Sequence, residues 1–305
     1  MRFLITGGTG FIGSALCEYL LKGNHSIMIQ TRHPELVKGE FESVKRLEEL
    51  SANEAFDVVI NLTGEPIANK RWSVSQKKKI LESRLNTTQK IIDFLKNAKQ
   101  KPRLFISGSA IGFYGVDSST GSENDAIAED VTLGGKNLGD DSFSSRLCKQ
   151  WEASALQAES LGIRTCLLRT GIVLGSGGGA LAKMTLPFKL GLGGKIGSGK
   201  QWMPWIHLDD LIGIIDYCIH QETITGPING TAPNPVTNAE FTIALGRAVK
   251  RPALLPMPAC VVKLLMGEMG EELLLAGKKV LPMKAQQAGY QFKYEHLESA
   301  LADIL

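Results

Sequence analysis

The sequence predicts an α/β chain: a Rossmann-type, doubly wound parallel sheet with a smaller C-terminal substrate domain. Three observations carry that expectation. Short apolar runs alternate with longer amphipathic segments through the first half of the chain. A glycine-rich turn, Thr6-Gly7-Gly8-Thr9-Gly10-Phe11-Ile12-Gly13, joins the first apolar run to the first amphipathic segment. The composition then changes after Thr170, with ten glycines in the 29 residues from Gly171 to Gly199.

Phe3-Leu4-Ile5 reads as the first strand. Phe11 to Leu21 reads as a helix, because Ile12, Leu16, Tyr19 and Leu20 recur at helical spacing. Gly23 lies just past it, where a helix-ending glycine belongs. Ser26 to Gln30 is the second strand, and a weak strand near Phe41–Val44 is expected within the poorly patterned stretch 34–56. Val58 to Leu62 is a buried strand. Ser75 to Lys96 is one long helix, striped by Ile80, Leu81, Leu85, Ile91, Ile92 and Leu95. Pro102 precedes the strand Leu104-Phe105-Ile106; Phe143 to Leu161 is a helix and Arg164 to Arg169 a strand. Parallel strands need crossover connections, and these helices supply them.

Beyond Thr170, Leu181 to Leu190 form an apolar helix between two glycine clusters. The clusters suit a close approach to a ligand or another backbone; a plain loop is the alternative. Prolines crowd Pro252 to Pro258, and two helices and a short terminal segment follow. The expected division is a nucleotide-binding domain at 1–170, with 205–232 returning to it as a helix and a strand near Ile228-Asn229-Gly230. Residues 171–204 and 233–305 form the substrate domain.

Composition narrows the function. The chain has 305 residues, and 34 Lys+Arg against 31 Asp+Glu leave a charge of +3. So small an excess does not point to nucleic acid or an anionic membrane. Five scattered cysteines without C-x-x-C, and five histidines that do not cluster, argue for reduced thiols and no metal. No signal peptide is expected from the first residues, and no run of about 18 uncharged apolar residues occurs. The expectation is a cytoplasmic protein with a small-molecule substrate, and a homodimer as its candidate assembly.

The turn contains G-x-G-x-x-G as Gly8, Gly10 and Gly13, and the wider pattern Gly7, Gly10, Gly13. Between a strand and a helix this is a dinucleotide-binding context, in which the helix N-terminus meets the pyrophosphate. Thr9, Phe11 and Ile12 share that turn. The second strand ends Gln30-Thr31-Arg32-His33, without the Asp or Glu that accepts from an NAD ribose. Arg32 instead suits a 2′-phosphate, which favours NADP(H).

These residues resemble the extended short-chain dehydrogenase/reductase superfamily, the group of nucleotide-sugar epimerases and dehydratases. Asn61-Leu62-Thr63-Gly64 is similar to its N-x-A-G, with Thr for Ala. Ser107-Gly108-Ser109-Ala110, followed by Tyr114-Gly115, is similar to its fifth-strand S-S-A-x-V-Y-G, with one extra residue. Trp205 to Leu211 is similar to its F-V-H-V-D-D-V. A narrower resemblance spans nearly the whole chain, through Gly64-Glu65-Pro66-Ile67, Lys70-Arg71-Trp72-Ser73, Ser83-Arg84, Leu168-Arg169-Thr170-Gly171, Pro187 to Gly194 and Arg251-Pro252-Ala253. It is to an atypical epimerase/dehydratase-like subfamily, some members of which are labelled cell-division inhibitors. The resemblance implies that Leu62, Thr63, Gly64, Ser107, Arg169, Thr170 and Gly171 join the cofactor site.

The superfamily's Tyr-x-x-x-Lys is missing. The matching helix reads Phe143-Ser144-Ser145-Arg146-Leu147-Cys148-Lys149-Gln150-Trp151-Glu152. Ser145 and Lys149 fit the spacing in one register, Ser144 and Cys148 in another; neither has a tyrosine. Ser109, Tyr114 and Lys149 are the candidate catalytic residues, although a packed aromatic role for Tyr114 is the stronger alternative. Arg84 and Trp202 are candidate substrate contacts. Two functions stay open: an NADP(H)-dependent epimerase or oxidoreductase acting on a small polar, perhaps nucleotide-linked, substrate, and a non-catalytic NADP(H)-binding sensor.

Overall fold

The computed structural model describes residues 1–116, 126–129 and 140–305. Its strands are β1 (Arg2–Thr6), β2 (Ser26–Gln30), β3 (Glu42–Val44), β4 (Val58–Asn61), β5 (Leu104–Ala110), β6 (Arg164–Thr170), β7 (Ile172–Leu174), β8 (Trp202–Met203), β9 (Trp205–His207), β10 (Gly226–Gly230) and β11 (Val236–Thr237). Seven of them form one sheet in the order β10-β6-β5-β4-β1-β2-β3, and every pairing within it is parallel. The chain leaves β1 in one direction through β2 and β3 and in the other through β4, so the strand order reverses beside β1. A crevice opens at such a switch point, at the carboxyl ends of the strands.

The helices are α1 (Phe11–Lys22), α2 (Val74–Asn97), α3 (Phe143–Ala155), α4 (Gly179–Lys189), α5 (Leu208–His220), α6 (Asn238–Ala248), α7 (Ala259–Met266), α8 (Glu268–Gly270), α9 (Met283–Gln287) and α10 (Leu297–Ile304). Strand side chains alternate between two cores. Phe3, Ile5, Val58, Ile60, Leu104 and Ile106 face α1 and α5, packing with Leu16, Leu20, Ile214 and Ile215. Leu4, Val59, Phe105 and Leu167 face α2, packing with Ile91, Ile92 and Leu95. Burial on both faces is why these strands read as continuous apolar runs. Each such side chain contributes about 1.5–3 kcal/mol by leaving water.

A separate core gathers Leu181, Phe188, Trp205, Phe241, Leu245 and Leu301 from α4, β9, α6 and α10. Residues near the C-terminus divide between the cores: Ala285, Tyr290 and Phe292 pack against the sheet, whereas Tyr294 and Leu297 belong to the smaller cluster.

Two local expectations change. The helix from Phe143 ends at Ala155, and residues Leu156–Leu161 tighten into a 3-10 turn that closes at Gly162 with φ +77. After α1 the left-handed residue is Asn24, with φ 57, and Gly23 keeps a negative φ. Asn tolerates that region better than most residues, so the glycine is not required there.

Candidate functional site

The turn from β1 to α1 is built by three glycines with three different reasons. Gly7 has φ +75, and a Cβ there would lie 2.7 Å from the Leu62 carbonyl. Gly13 packs so tightly that its Cβ would lie 2.2 Å from the Gly7 oxygen. Gly10 is different: a Cβ there would meet only the Gly7 oxygen, at 3.2 Å. Its outer side is open, Thr9 and Gly10 are exposed, and no side chain caps the helix that begins there. The first N–H groups of α1 therefore face outward with the helix's partial positive charge. At the adjoining end of β4 the buried Thr63 hydroxyl has no hydrogen-bond partner among the described residues. An open glycine, an uncapped helix start and an orphaned hydroxyl fit a dinucleotide's pyrophosphate and ribose.

Phe11 and Ile12 are half-buried beside the turn. The Phe11 ring lies under the first glycine cluster: Cβ atoms at Gly175, Gly178 and Gly179 would fall 2.6–3.0 Å from it. The cluster's close approach is thus to an aromatic ring of the turn. At the end of β2, Thr31 is half-buried and Arg32 exposed. Among the described residues Arg32 makes no ion pair.

The end of β5 is closed. Arg169 forks onto Glu152, Nε to Oε1 and Nη2 to Oε2, both at 2.8 Å. The Ser109 hydroxyl donates to the same Glu152 Oε1 at 2.6 Å. Arg169 Nη1 donates to the Tyr114 hydroxyl at 3.1 Å, which itself donates to Asn229 Oδ1 at 2.7 Å. The guanidinium also stacks 3.5 Å over the Phe113 ring. Tyr114 is wholly buried, and burial pushes its phenol up to about 12. The structure therefore makes Tyr114 a packed aromatic with both sides of its oxygen engaged, not an acid or base in a crevice. It likewise spends the Arg169 guanidinium on a buried ion pair, not on a cofactor.

The serines of both registers, Ser144 and Ser145, are buried on α3. Ser144, Cys148 and Glu152, four residues apart, share the buried face of α3. Lys149 is half-buried one position away and makes no hydrogen bond or ion pair among the described residues. The Cys148 thiol lies beside the Ser109 hydroxyl and the Ala110 backbone, and burial pushes it up to about 11; it is a neutral thiol.

Sequence reading missed Glu272. It sits in a π-helical turn, Glu271–Leu275. Its carboxylate accepts from the Phe143 N–H at 2.9 Å, the Ser144 N–H at 3.0 Å and the Ser144 hydroxyl at 2.6 Å. An acid 128 residues away thus holds the start of α3, where it also meets the helix's positive end. No local signal announces such a contact.

Arg84 projects from α2 over Gly64, where a Cβ would lie 2.8 Å from its Cζ. Its Nη1 is held by the carbonyls of Glu65 at 3.1 Å and Ile80 at 3.0 Å, and its guanidinium lies 5.1 Å from the Trp151 ring. Among the described residues no carboxylate pairs with it, and burial lowers its pKa. Arg84 is half-buried, and cations largely withdrawn from water normally have a counter-ion.

The remaining candidates are accounted for by backbone. Ser107 donates to the Gly108 carbonyl at 3.2 Å and Thr170 to that of Leu168 at 3.3 Å. Gly171 is required by packing, since a Cβ would lie 2.5 Å from the Pro204 oxygen. Trp202 is half-buried, with Lys279 Nζ 4.8 Å from its ring. The segment at Gly277–Lys278 links it to the β5 end: Gly277 abuts the Trp202 backbone, and Lys278 Nζ donates to the Tyr114 carbonyl at 2.8 Å.

Known proteins resemble this chain along its whole length. Residues 3–229 match the model of the NAD dependent epimerase/dehydratase family, and residues 257–304 match a domain of unknown function. The Epimerase family protein SDR39U1 of Homo sapiens is 37% identical over 308 residues, covering 100% of both chains. A chloroplastic homolog of that protein in Arabidopsis thaliana is 38% identical over 315 residues, covering 100% of this chain and 87% of its own. The crystal structure of the human protein (isoform 2) with NADPH superposes with a TM-score of 0.87 at 37% identity, over 100% of this chain and 99% of that one.

Proposed function

The chain belongs to the NAD dependent epimerase/dehydratase family, and we propose that it binds NADP(H) in the turn between β1 and α1 and acts as an epimerase or oxidoreductase on a small polar substrate. One observation carries the cofactor reading: the open face of Gly10 at an uncapped helix start, beside the unpartnered Thr63 hydroxyl. The human relative's structure with NADPH supports it. Gly7, Thr9, Gly10, Phe11, Ile12 and Gly13 line the pyrophosphate. Leu62, Thr63 and Gly64 border the riboses, with Ser107, Thr170 and Gly171 shaping the backbone beside them. Thr31 and Arg32 take the 2′-phosphate. The cofactor supplies hydride transfer when bound.

This chain's own residues do the rest. The Arg84 guanidinium, lacking a counter-ion, holds an anionic group of the substrate. Ser109 Oγ accepts from a substrate hydroxyl while its own hydroxyl donates to the Glu152 carboxylate that the Arg169 fork holds. Trp202 borders the substrate from the smaller core. The division at 1–170 plus 205–232, against 171–204 and 233–305, belongs to the same reading. Family membership does not set the compartment, since the Arabidopsis relative is chloroplastic by name.

A second reading, a non-catalytic NADP(H) binder, draws on α3: it carries no tyrosine, and Glu272 occupies its first turn. Titration with NADPH and NADH, followed by incubation with a panel of carbonyl compounds, separates the two. Tight NADPH binding with turnover supports the enzyme. Tight binding without turnover supports the sensor, and no preference for NADPH removes the 2′-phosphate site from both.

A further inference from the structure

The +3 total conceals a local asymmetry. No Asp or Glu occurs between Glu159 and Asp209, or between Glu240 and Glu268. Parts of both stretches meet beside the smaller core. The Leu255 N–H bonds to the Gly193 carbonyl at 3.0 Å and the Met257 N–H to that of Lys195 at 2.9 Å, so the turn after α4 and the strand-like run before α7 lie side by side. Arg251 reaches the Lys189 carbonyl at 3.4 Å. Along these runs Leu190 is 66% exposed, Leu192 59%, Leu254 78% and Leu255 54%, and on α7, which follows them, Leu264 is 76% and Leu265 63% exposed. Lys189, Lys195, Arg247, Lys250 and Arg251 are exposed among them, and among the described residues none of the five pairs with a carboxylate. Lys263 is paired, with Glu271 at 3.1 Å.

Large apolar side chains this exposed, and this adjacent, mark a contact surface. From this we propose that the face formed by 189–195 and 247–265 docks on an anionic lipid surface. Charge selects that occupant. A second copy would bring an equally basic face against this one and be repelled, whereas anionic headgroups complement it. The α7 helix contributes in the manner of an interfacial helix: Val262 is buried inward, while Leu264 and Leu265 point out beside Lys263. Leucine tips enter the headgroup boundary, and the lysines and arginines stay at headgroup level. The docking is peripheral; among the described residues no helix is long and apolar enough to cross a membrane. It does not depend on the cofactor reading above.

The test is co-sedimentation of the full chain with vesicles of phosphatidylcholine alone and of phosphatidylcholine mixed with phosphatidylglycerol. Binding is expected only to the mixed vesicles, weakening as salt is raised. Lys195→Ser, Arg247→Ser and Lys250→Asn together should weaken it on the order of a hundredfold, from about fivefold for each cation; Asn suits the φ of 55 at position 250. Leu254→Ser with Leu264→Ser should weaken it roughly tenfold or more. Leu36→Ser, an equally exposed leucine elsewhere at 67%, should change nothing. Melting temperatures of every variant should match the wild type, and if the leucine pair fails to fold, the cationic triple still decides. The proposal is overturned by failure to sediment with either vesicle, by equal binding to both, or by variants that bind like wild type. A wild-type dimer that the leucine variants dissociate assigns the face to a second copy instead.

Discussion

At the end of β1 the chain leaves polar groups without protein partners; at the end of β5 the side chains of Ser109, Tyr114 and Arg169 are all engaged. The first region has an open glycine, free helix N–H groups and an orphaned Thr63 hydroxyl. The second is a closed network of Glu152, Arg169, Tyr114, Ser109 and Asn229. Unpaired buried groups cost free energy, so they persist where a ligand completes them. Saturated groups hold the fold; among them Ser109 is also proposed to meet the substrate. The comparison separates the proposed binding surface from its scaffold, although both lie at carboxyl ends of neighbouring strands.

Breaking the closed region should have the largest effect. Arg169→Ala leaves Glu152 buried without its cation, a loss of about 3–5 kcal/mol, read as a drop in melting temperature on the order of 10 °C. A variant melting within a degree or two of wild type would contradict the scaffold role.

The open region should respond in binding, with the fold intact. Gly10→Val places a side chain where the cofactor passes and should weaken NADPH binding at least about a hundredfold, roughly 3 kcal/mol, while circular dichroism stays that of the wild type. Retained affinity would move the pyrophosphate away from Gly10. Arg32→Ala should be gentler still. A charge-assisted fork on phosphate contributes about 1.5–3 kcal/mol, so the preference for NADPH over NADH should shrink roughly tenfold to a hundredfold. Equal wild-type affinities for the two cofactors would exclude that fork.

Tyr114→Phe sharpens the contrast. It should cost about 1–3 kcal/mol of stability from the unpaired Asn229 and Arg169 groups and leave NADPH affinity unchanged. The sign with pH follows from its burial. The phenol ionises near 10 when unfolded and at about 12 when folded, so its contribution is complete below pH 10 and is lost as pH rises toward 12. The wild type should lose more stability over that range than the Phe variant; parallel curves would show the phenol is not buried as described. Smallest is Lys149→Ala, expected to move stability by no more than about 0.5 kcal/mol and cofactor affinity not at all. A clear loss of NADPH binding would support the first helix register.

The turn was legible because its chemistry is local. Gly7, Gly10 and Gly13 satisfy steric demands within a few residues, and a strand and a helix flank them in sequence. The long helix α2 was read to within one residue at each end, Val74–Asn97 against Ser75–Lys96, because its stripe repeats over many turns. The weak strand at 41–44 also appears, as Glu42–Val44. Arg169 and Tyr114 were read as site residues because the motif puts them near the site, but motif spacing does not say whether a side chain points into a crevice or into Glu152 and Asn229.

By itself the sequence determined the parallel sheet, its crossovers and the place of the glycine turn, all set by periodicity and backbone sterics over short spans. Tertiary structure alone decided which face of α3 meets β5, that Glu272 holds its first turn from 128 residues away, and that among the described residues Arg84 is left without a counter-ion. It also decided that 193–197 and 255–257, parts of two acid-free stretches, lie side by side. Each of these depends on which charges and hydrogen-bonding groups meet across the fold, and those distances exist only once the chain has folded.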